Sequence, residues 1–88
     1  MQKQKFIIKN RLGLHARAAA QLVQTANQFK AEVTLVKDDV EVSGKSIMGV
    51  LLLAAPQGTD IVLSVEGPDE TEAMTALAGL IKDGFGED

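Results

Sequence analysis

Apolar and polar residues alternate in three stretches of the chain, residues 31–37, 40–43 and 60–66. A period of two is typical of half-buried strands, because successive side chains point to opposite faces of a sheet. A shorter apolar run, residues 6–8 between two lysines, predicts one more strand. We expect the strand at 60–66 to be central. The strands at 31–37 and 40–43 should form a hairpin, one face of which carries Val33, Leu35, Val40 and Val42.

Two other stretches carry apolar residues at helical spacing. Residues 16–29 predict a helix whose buried stripe is formed by Ala19, Leu22, Val23, Ala26 and Phe29. Further along, Asp69 and Glu72 resemble a capping box, in which two side chains satisfy backbone N–H groups at a helix start. The helix that follows should bury Ala73, Leu77, Leu80 and Ile81. The glycines at 84 and 86 predict a frayed end.

A short apolar segment, residues 47–53, has no polar face. Ser46 precedes it and is a good N-cap, so the segment is predicted to be a short helix. Two outcomes stay open: the helix is fully buried, or part of it is exposed as a docking surface. Gly49 inside the helix predicts a close neighbour or partner on that side. The docking surface would comprise Ile47, Met48 and Leu51, with Ala20 from the first helix.

The predicted elements follow one another as strand, helix, strand, strand, helix, strand, helix. Helical stripes that face one side, combined with alternating strands, predict an α+β fold: an antiparallel sheet with helices on one face. The 88 residues suffice for one small domain, residues 1–88, and are too few for two.

Composition narrows the function classes. The net charge of −3 argues against direct nucleic-acid binding, which needs clustered lysine and arginine. The absence of cysteine excludes disulfides and a thiolate nucleophile, and a single histidine predicts no metal site. The sequence has no Gly-rich phosphate loop, so no cofactor is expected. No apolar run suits a signal peptide or a membrane span, so we expect a cytoplasmic protein without membrane insertion.

The only histidine, His15, stands where the first helix is predicted to begin. The first turn of a helix has unpaired backbone N–H groups, here those of Ala16 and Arg17, which suit an anion. A neutral imidazole is a nucleophile, so the same N–H groups could hold a phosphate attached to it. Alternatively, His15 is an ordinary surface or core residue, Gly13 a turn residue and Arg17 a solvated one. A cation at a helix start opposes the macrodipole, which favours a bound anion here.

Residues 13–19, with the sequence GLHARAA, resemble the active-site motif of the HPr family, the histidine-containing phosphocarriers of the bacterial phosphoenolpyruvate:sugar phosphotransferase system. Residues 44–50, with the sequence GKSIMGV, resemble the second motif of that family, around its regulatory serine. The spacing of the motifs and the chain length also agree. The resemblance implies an open-faced β-sandwich, in which three helices cover one side of a four-stranded antiparallel sheet.

The same resemblance implies the function. Enzyme I would pass a phosphoryl group from phosphoenolpyruvate to a ring nitrogen of His15, and the phosphohistidine would donate it to IIA proteins or domains. Arg17 would contact the phosphoryl group. In many bacteria an ATP-dependent HPr kinase phosphorylates the serine that matches Ser46. The protein would then be a monomeric substrate of other enzymes and not an enzyme itself.

Four positions depart from the family pattern. Ala18 stands where most members have proline, and Leu12 where members of the sugar branch often have a polar residue. Leucine at that position also resembles the nitrogen-related branch, NPr. Gln24 and Asn27 replace lysines that meet Enzyme I in some members. Two alternatives stay open: a mainly regulatory protein that acts through Ser46 without sugar transport, and a small-molecule-binding regulatory domain.

Overall fold

The computed structural model describes residues 1–87, and it confirms the predicted order of elements and the α+β class. The strands and helices are β1 (Gln2–Ile7), α1 (Ala16–Ala26), β2 (Glu32–Lys37), β3 (Val40–Ser43), α2 (Ile47–Leu53), β4 (Asp60–Glu66) and α3 (Glu70–Lys82). All strand pairs are antiparallel, in the order β1-β4-β2-β3, so β4 is an interior strand as expected. The fold is an open-faced β-sandwich with the three helices on one side.

The core lies between the sheet and the helices and is almost entirely aliphatic. Paired strand residues such as Leu35 and Leu63 are fully buried, and Leu22 of α1 and Leu77 of α3 belong to the same core cluster. Val40 was expected in this face but is 48% exposed. It pairs with Lys37 at the hairpin end of the edge strand β3, where the helical layer does not cover it.

Two element boundaries differ from the sequence expectation by more than one residue. Strand β1 begins at Gln2 and not at residue 6, because four polar residues also pair with β4 at the edge of the sheet. An edge strand needs only one buried face, and its backbone bonds do not depend on apolar side chains. Helix α1 ends at Ala26 and not at residue 29, because Asn27 caps it and bonds the carbonyl of Val23.

The capping box predicted at α3 is wrong. Asp69 is the N-cap residue, but its carboxylate makes no bond to its own helix. It accepts hydrogen bonds from the backbone N–H groups of Lys30, at 2.9 Å, and Ala31, at 2.8 Å. The bond from Lys30 is the largest effect that holds the pKa of Asp69 below its usual value. The carboxylate therefore ties the segment before β2 to the start of α3.

The buried face of α3 is broader than its predicted stripe. Leu80 is half-buried and packs against the core, so it lies on the buried face as predicted. Met74 and Ala78 are buried as well. The fully buried positions of α3 are Ala73, Met74, Leu77, Ala78 and Ile81.

The chain end does not fray over the described residues. Residues Gly84–Gly86 form a short 3₁₀ turn, and Phe85 between the two glycines is 2% exposed. Both glycines have positive φ, which turns the chain back on itself after α3. The buried ring of Phe85 therefore anchors Glu87 against the rest of the fold.

The short helix α2 is half in the core, so the fully buried alternative is wrong. Val50 and Leu53 are buried, while four apolar side chains are exposed: Ile47 at 45%, Met48 at 73%, Leu51 at 38% and Leu52 at 73%. A Cβ atom on Gly49 would lie 3.3 Å from the Cβ of Val42. The close neighbour that this glycine predicted is therefore strand β3.

Candidate functional site

The loop from residue 10 to residue 14 delivers His15 to the start of α1. Gly13 has a φ of +66°, and a Cβ there would collide with the carbonyl oxygen of Ala55. The N–H of Leu14 donates to that same oxygen at 2.9 Å. Asn10, which sequence reasoning missed, is fully buried, and its Nδ2 donates to the carbonyl of Gly13 at 2.7 Å. The loop is therefore fixed from both sides.

His15 is the N-cap of α1, and the helix begins at Ala16 as predicted. Its backbone is extended (φ −80°, ψ −176°), and its carbonyl accepts the first helical bond, from Ala19 at 2.8 Å. Its side chain makes no capping bond. The N–H groups of Ala16, Arg17 and Ala18 have no carbonyl of their own helix to bond. The helix start therefore has donors that an anion could use.

The His15 ring instead contacts Glu87, 72 residues away in sequence. Nε2 of the ring lies 2.7 Å from Oε2 and 3.0 Å from Oε1 of the carboxylate. The exposed fractions of the two side chains are 27% and 14%. Asn10 Nδ2 also donates to Oε1 of Glu87, at 3.1 Å. One buried amide thus joins the loop before His15 to the carboxylate beside it.

Opposing effects act on the pKa of Glu87. Partial burial is the largest single effect and would raise that pKa. The hydrogen bonds from Asn10 and His15, together with electrostatic attraction to His15 and Arg17, lower it, and the net result lies below the usual value. Glu87 is therefore a carboxylate near neutral pH. Nothing in the acidic end of the sequence predicted this contact, although the apolar Phe85 two residues earlier was a signal that the end is anchored.

An open cavity of about 670 Å³ lies in front of the ring. His15, Glu87 and the first turn of α1 line it, and the side chains of Arg11 and Arg17 add two cations. Exposed Leu12, at 67%, forms part of its rim. The cavity combines a ring nitrogen, backbone donors and positive charge, which is the chemistry that a phosphoryl group requires.

The second predicted site, Ser46, lies at the start of α2. Its Oγ accepts the N–H of Gly49 at 3.1 Å, which confirms Ser46 as the helix cap. The Nζ of the preceding residue, Lys45, donates to the carbonyl of Phe29 at 2.7 Å. A shallow depression lined by His15, Ala54 and Pro56, among others, connects the ring of His15 to the other end of α2. Ser46 and His15 therefore lie towards opposite ends of this helix.

The four residues predicted to dock a partner are accessible to different degrees. Ile47, Met48 and Leu51 of α2 are exposed, and Ala20 of α1 is half-buried. Helices α1 and α2 pack against each other, so these residues belong to neighbouring elements. Among the described residues no group of acidic or histidine side chains could hold a metal ion. Along residues 1–87 none of the helices has the length and hydropathy that a membrane crossing requires.

Fold and site together define a small open-faced β-sandwich that carries one accessible histidine at an uncapped helix start. The family model described as the PTS HPr component phosphorylation site matches residues 2–83. The chain belongs to this family, the HPr phosphocarriers of the phosphotransferase system.

Individual relatives cover almost the whole chain. Phosphocarrier protein HPr of Neisseria meningitidis is 56% identical over 87 residues, which are 99% of this chain and 98% of the relative. The crystal structure of HPr from Thermoanaerobacter tengcongensis superimposes with a TM-score of 0.96 at 48% identity, covering 100% and 99% of the two chains. The crystal structure of Crh, the catabolite repression protein of Bacillus subtilis, has a TM-score of 0.76 at 43% identity, covering 94% and 95%.

These relatives decide between the classes of function. Proteins named phosphocarrier are carriers and not catalysts, so this chain is a phosphocarrier, and a small-molecule-binding domain is not favoured. The Crh structure is described as a dimer with a swapping domain. The expectation that this chain is a monomer therefore stays a prediction, as does its cytoplasmic location.

Proposed function

We propose that His15 accepts a phosphoryl group from Enzyme I, originally from phosphoenolpyruvate, and passes it to a IIA protein or domain. The observation that carries this proposal is the uncapped start of α1, where the ring of His15 stands beside free backbone donors. A residue that served only the helix would be expected to cap it, as serine does at Ser46.

The contact with Glu87 supports Nδ1 as the reacting nitrogen. An ionised carboxylate can only accept hydrogen bonds, so Nε2 of His15 carries the proton. Nδ1 then holds the lone pair and is the nucleophile. The phosphoryl oxygens would bond the N–H groups of Ala16 and Arg17 and the guanidinium of Arg17, where the helix dipole also favours negative charge.

The exposed face of α2 is proposed to dock the partner proteins. Met48 is 73% exposed, and Ile47 and Leu51 lie on the same short helix. Such apolar groups anchor interfaces when a partner covers them. Met48→Ala should raise the Michaelis constant for phosphorylation by Enzyme I and leave the melting temperature unchanged. Ile7→Ala, another exposed apolar residue but on β1, is the matched control and should change neither. A Met48 variant that melts early and transfers normally would contradict the docking role.

Ser46 is proposed as a regulatory phosphorylation site for an HPr kinase. The relative Crh is described as a catabolite repression protein, which connects this fold with regulation. A phosphate on Ser46 would add about −1.5 to −2 charges at the start of α2. Ser46 lies at the start of α2, and His15 lies near the other end of that helix. The added charge would therefore act on the docked partner and not on the His15 ring.

Incubation with Enzyme I and phosphoenolpyruvate, followed by intact mass measurement, tests the carrier function. The natural chain should gain the mass of one phosphoryl group, and acid should remove it. His15→Ala should gain nothing and keep the fold, because no other histidine is present in the 88 residues. Labelling of the alanine variant to the normal level would refute the assignment of His15.

A further inference from the structure

We propose that Glu87 is a positioning residue for His15: its side-chain carboxylate fixes the tautomer and orientation of the ring for phosphoryl transfer. This inference rests on the proposed function of His15. It assigns a role to a residue 72 positions away in sequence.

The geometry restricts the ring more than one hydrogen bond would. Both carboxylate oxygens lie within 3.0 Å of Nε2, and Oε1 is also held by Asn10 at 3.1 Å. Asn10 is fully buried, and its Nδ2 also donates to the carbonyl of Gly13. The amide is therefore fixed in place, and a carboxylate that moved away would lose its hydrogen bond with it. A carboxylate with a fixed partner behind it orients a histidine ring, as outer partners do for histidine metal ligands.

The segment that carries Glu87 is itself held in place. Phe85 is buried in the core, and the N–H of Glu87 donates to the carbonyl of Gly84 at 3.0 Å. The carboxylate is therefore in position before any phosphoryl donor arrives. A group that is already placed loses little freedom in the reaction, which is the advantage of preorganisation.

Electrostatics fix which nitrogen carries the proton. A neutral imidazole has its proton on one nitrogen and its lone pair on the other. Glu87 is ionised near neutral pH and can only accept, so it stabilises the tautomer with the proton on Nε2. Without the carboxylate the ring would divide between two tautomers, and only one of them has the lone pair at Nδ1.

With the proton on Nε2, phosphoryl transfer to Nδ1 requires no proton transfer. The lone pair of Nδ1 forms the N–P bond, the bond from phosphorus to the donor atom of Enzyme I breaks, and its electron pair stays with the donor. The Nε2 proton remains on the ring, which becomes a phosphorylated imidazolium. Glu87 offsets that new positive charge through its contact with Nε2. When the N–P bond breaks in the onward transfer, the ring leaves as the same neutral tautomer.

Nitrogen-15 NMR of the ring tests the tautomer without Enzyme I. We would compare the natural chain, Glu87→Gln and Glu72→Gln at about pH 8.5, roughly two units above the ordinary histidine pKa. Glu72 is an exposed carboxylate on α3 and serves as the matched control. The natural chain and the control should show the proton on Nε2 alone, and Glu87→Gln should show a mixture. A mixture in the natural chain, or an unchanged ring in Glu87→Gln, overturns the proposal.

Single-turnover transfer from phosphorylated Enzyme I measures the consequence. Glu87→Gln and Glu87→Ala should slow the transfer about tenfold, the lower end of the effect of outer partners on histidine ligands, while Glu72→Gln should not. Equal rates in all variants overturn the positioning role and leave the carrier function intact. If the natural chain accepts no phosphoryl group at all, the carrier proposal fails, and the NMR result alone decides the role of Glu87. Thermal melting of each variant verifies that it folds.

Discussion

The two helix starts that carry the family motifs use similar backbones in opposite ways. His15 and Ser46 are both N-cap residues in the extended region. Ser46 turns its hydroxyl inward and accepts the N–H of Gly49 at 3.1 Å, so α2 is closed by its own cap. His15 makes no capping bond and contacts Glu87, so α1 stays open. Under the proposed function, the first helix lacks a stabilising side-chain cap so that its backbone donors stay available to a phosphoryl group.

The largest effect should come from exchanging one cap type for the other. His15→Ser and His15→Ala should both lose all phosphorylation by Enzyme I. Both also lose the contact with Glu87, so their difference in free energy of unfolding isolates the cap. The serine variant should be more stable by about 1 kcal/mol, measured by urea unfolding. If the two variants have the same free energy of unfolding, a side-chain cap would not stabilise α1, and the contrast between the two helix starts would have no energetic basis.

Removal of Arg17 tests whether backbone donors alone can hold the phosphoryl group. Arg17→Ala should slow transfer about 10-fold to 100-fold, since a hydrogen bond to a charged group contributes about 1.5–3 kcal/mol. It should not abolish transfer, because the N–H groups of the helix start remain. Arg17→Lys keeps the positive charge but loses the bidentate guanidinium, so its transfer rate should lie between those of Arg17→Ala and the natural chain. A rate in Arg17→Ala equal to that of the natural chain would leave the open helix start as the sole anion site.

Gly13 tests whether the loop before α1 needs its unusual backbone. Gly13→Ala should lower the free energy of unfolding by about 2 kcal/mol or more, since a left-handed residue with a Cβ is strained and here also meets the backbone of Ala55. Gly58→Ala is the control: its φ is +88°, but nothing lies within 4 Å of the added atom. It should show the strain alone, about 1 kcal/mol. Equal losses in denaturant titration would mean that contact with Ala55 is unimportant.

Variants of Ser46 separate the cap from the proposed regulation. Ser46→Ala should lose about 1 kcal/mol of stability and transfer normally. Ser46→Asp keeps an acceptor at the cap, so it should stay near the natural stability but accept the phosphoryl group more slowly at low salt and sub-saturating concentration. Comparison of melting curves and initial rates distinguishes them. Equal rates for Ser46→Asp and the natural chain would leave Ser46 as a cap only.

The smallest expected effect concerns the third helix start, where Asp69 bonds the backbone of Lys30 and Ala31. The pKa of Asp69 is lowered chiefly by the Lys30 bond. Its contribution to stability is therefore fully present above the unfolded value of 3.8 and is lost as pH falls through the lower folded pKa. Asp69→Asn should reduce the fall of the melting temperature as the pH is lowered into the acid range. Asp39→Asn, exposed in the β2–β3 turn, should not. Parallel acid profiles for Asp69→Asn and the natural chain would show that the contact is weak.

The sequence predicted the elements well where local patterns decide them. Alternation located β2, β3 and β4 to within one residue, and the limits of α2 matched those predicted. Prediction failed where polar residues pair at a sheet edge, as in the first half of β1. It also failed where a carboxylate had a choice of partners, as Asp69 did, because a capping box and a distant backbone offer the same kind of bond.

The sequence alone singled out His15 as the proposed acceptor. It is the only histidine, it stands between Gly13 and Arg17 at a predicted helix start, and its surroundings resemble the HPr motif. Only the tertiary structure decided what stands beside that ring. Asn10 and Glu87 are 77 positions apart and meet at one carboxylate oxygen. Phe85 brings them together by burying its ring in the core. Hydrophobic periodicity indicates which face of each segment is buried. It does not indicate which polar groups, distant in the sequence, lie next to the site in the folded chain.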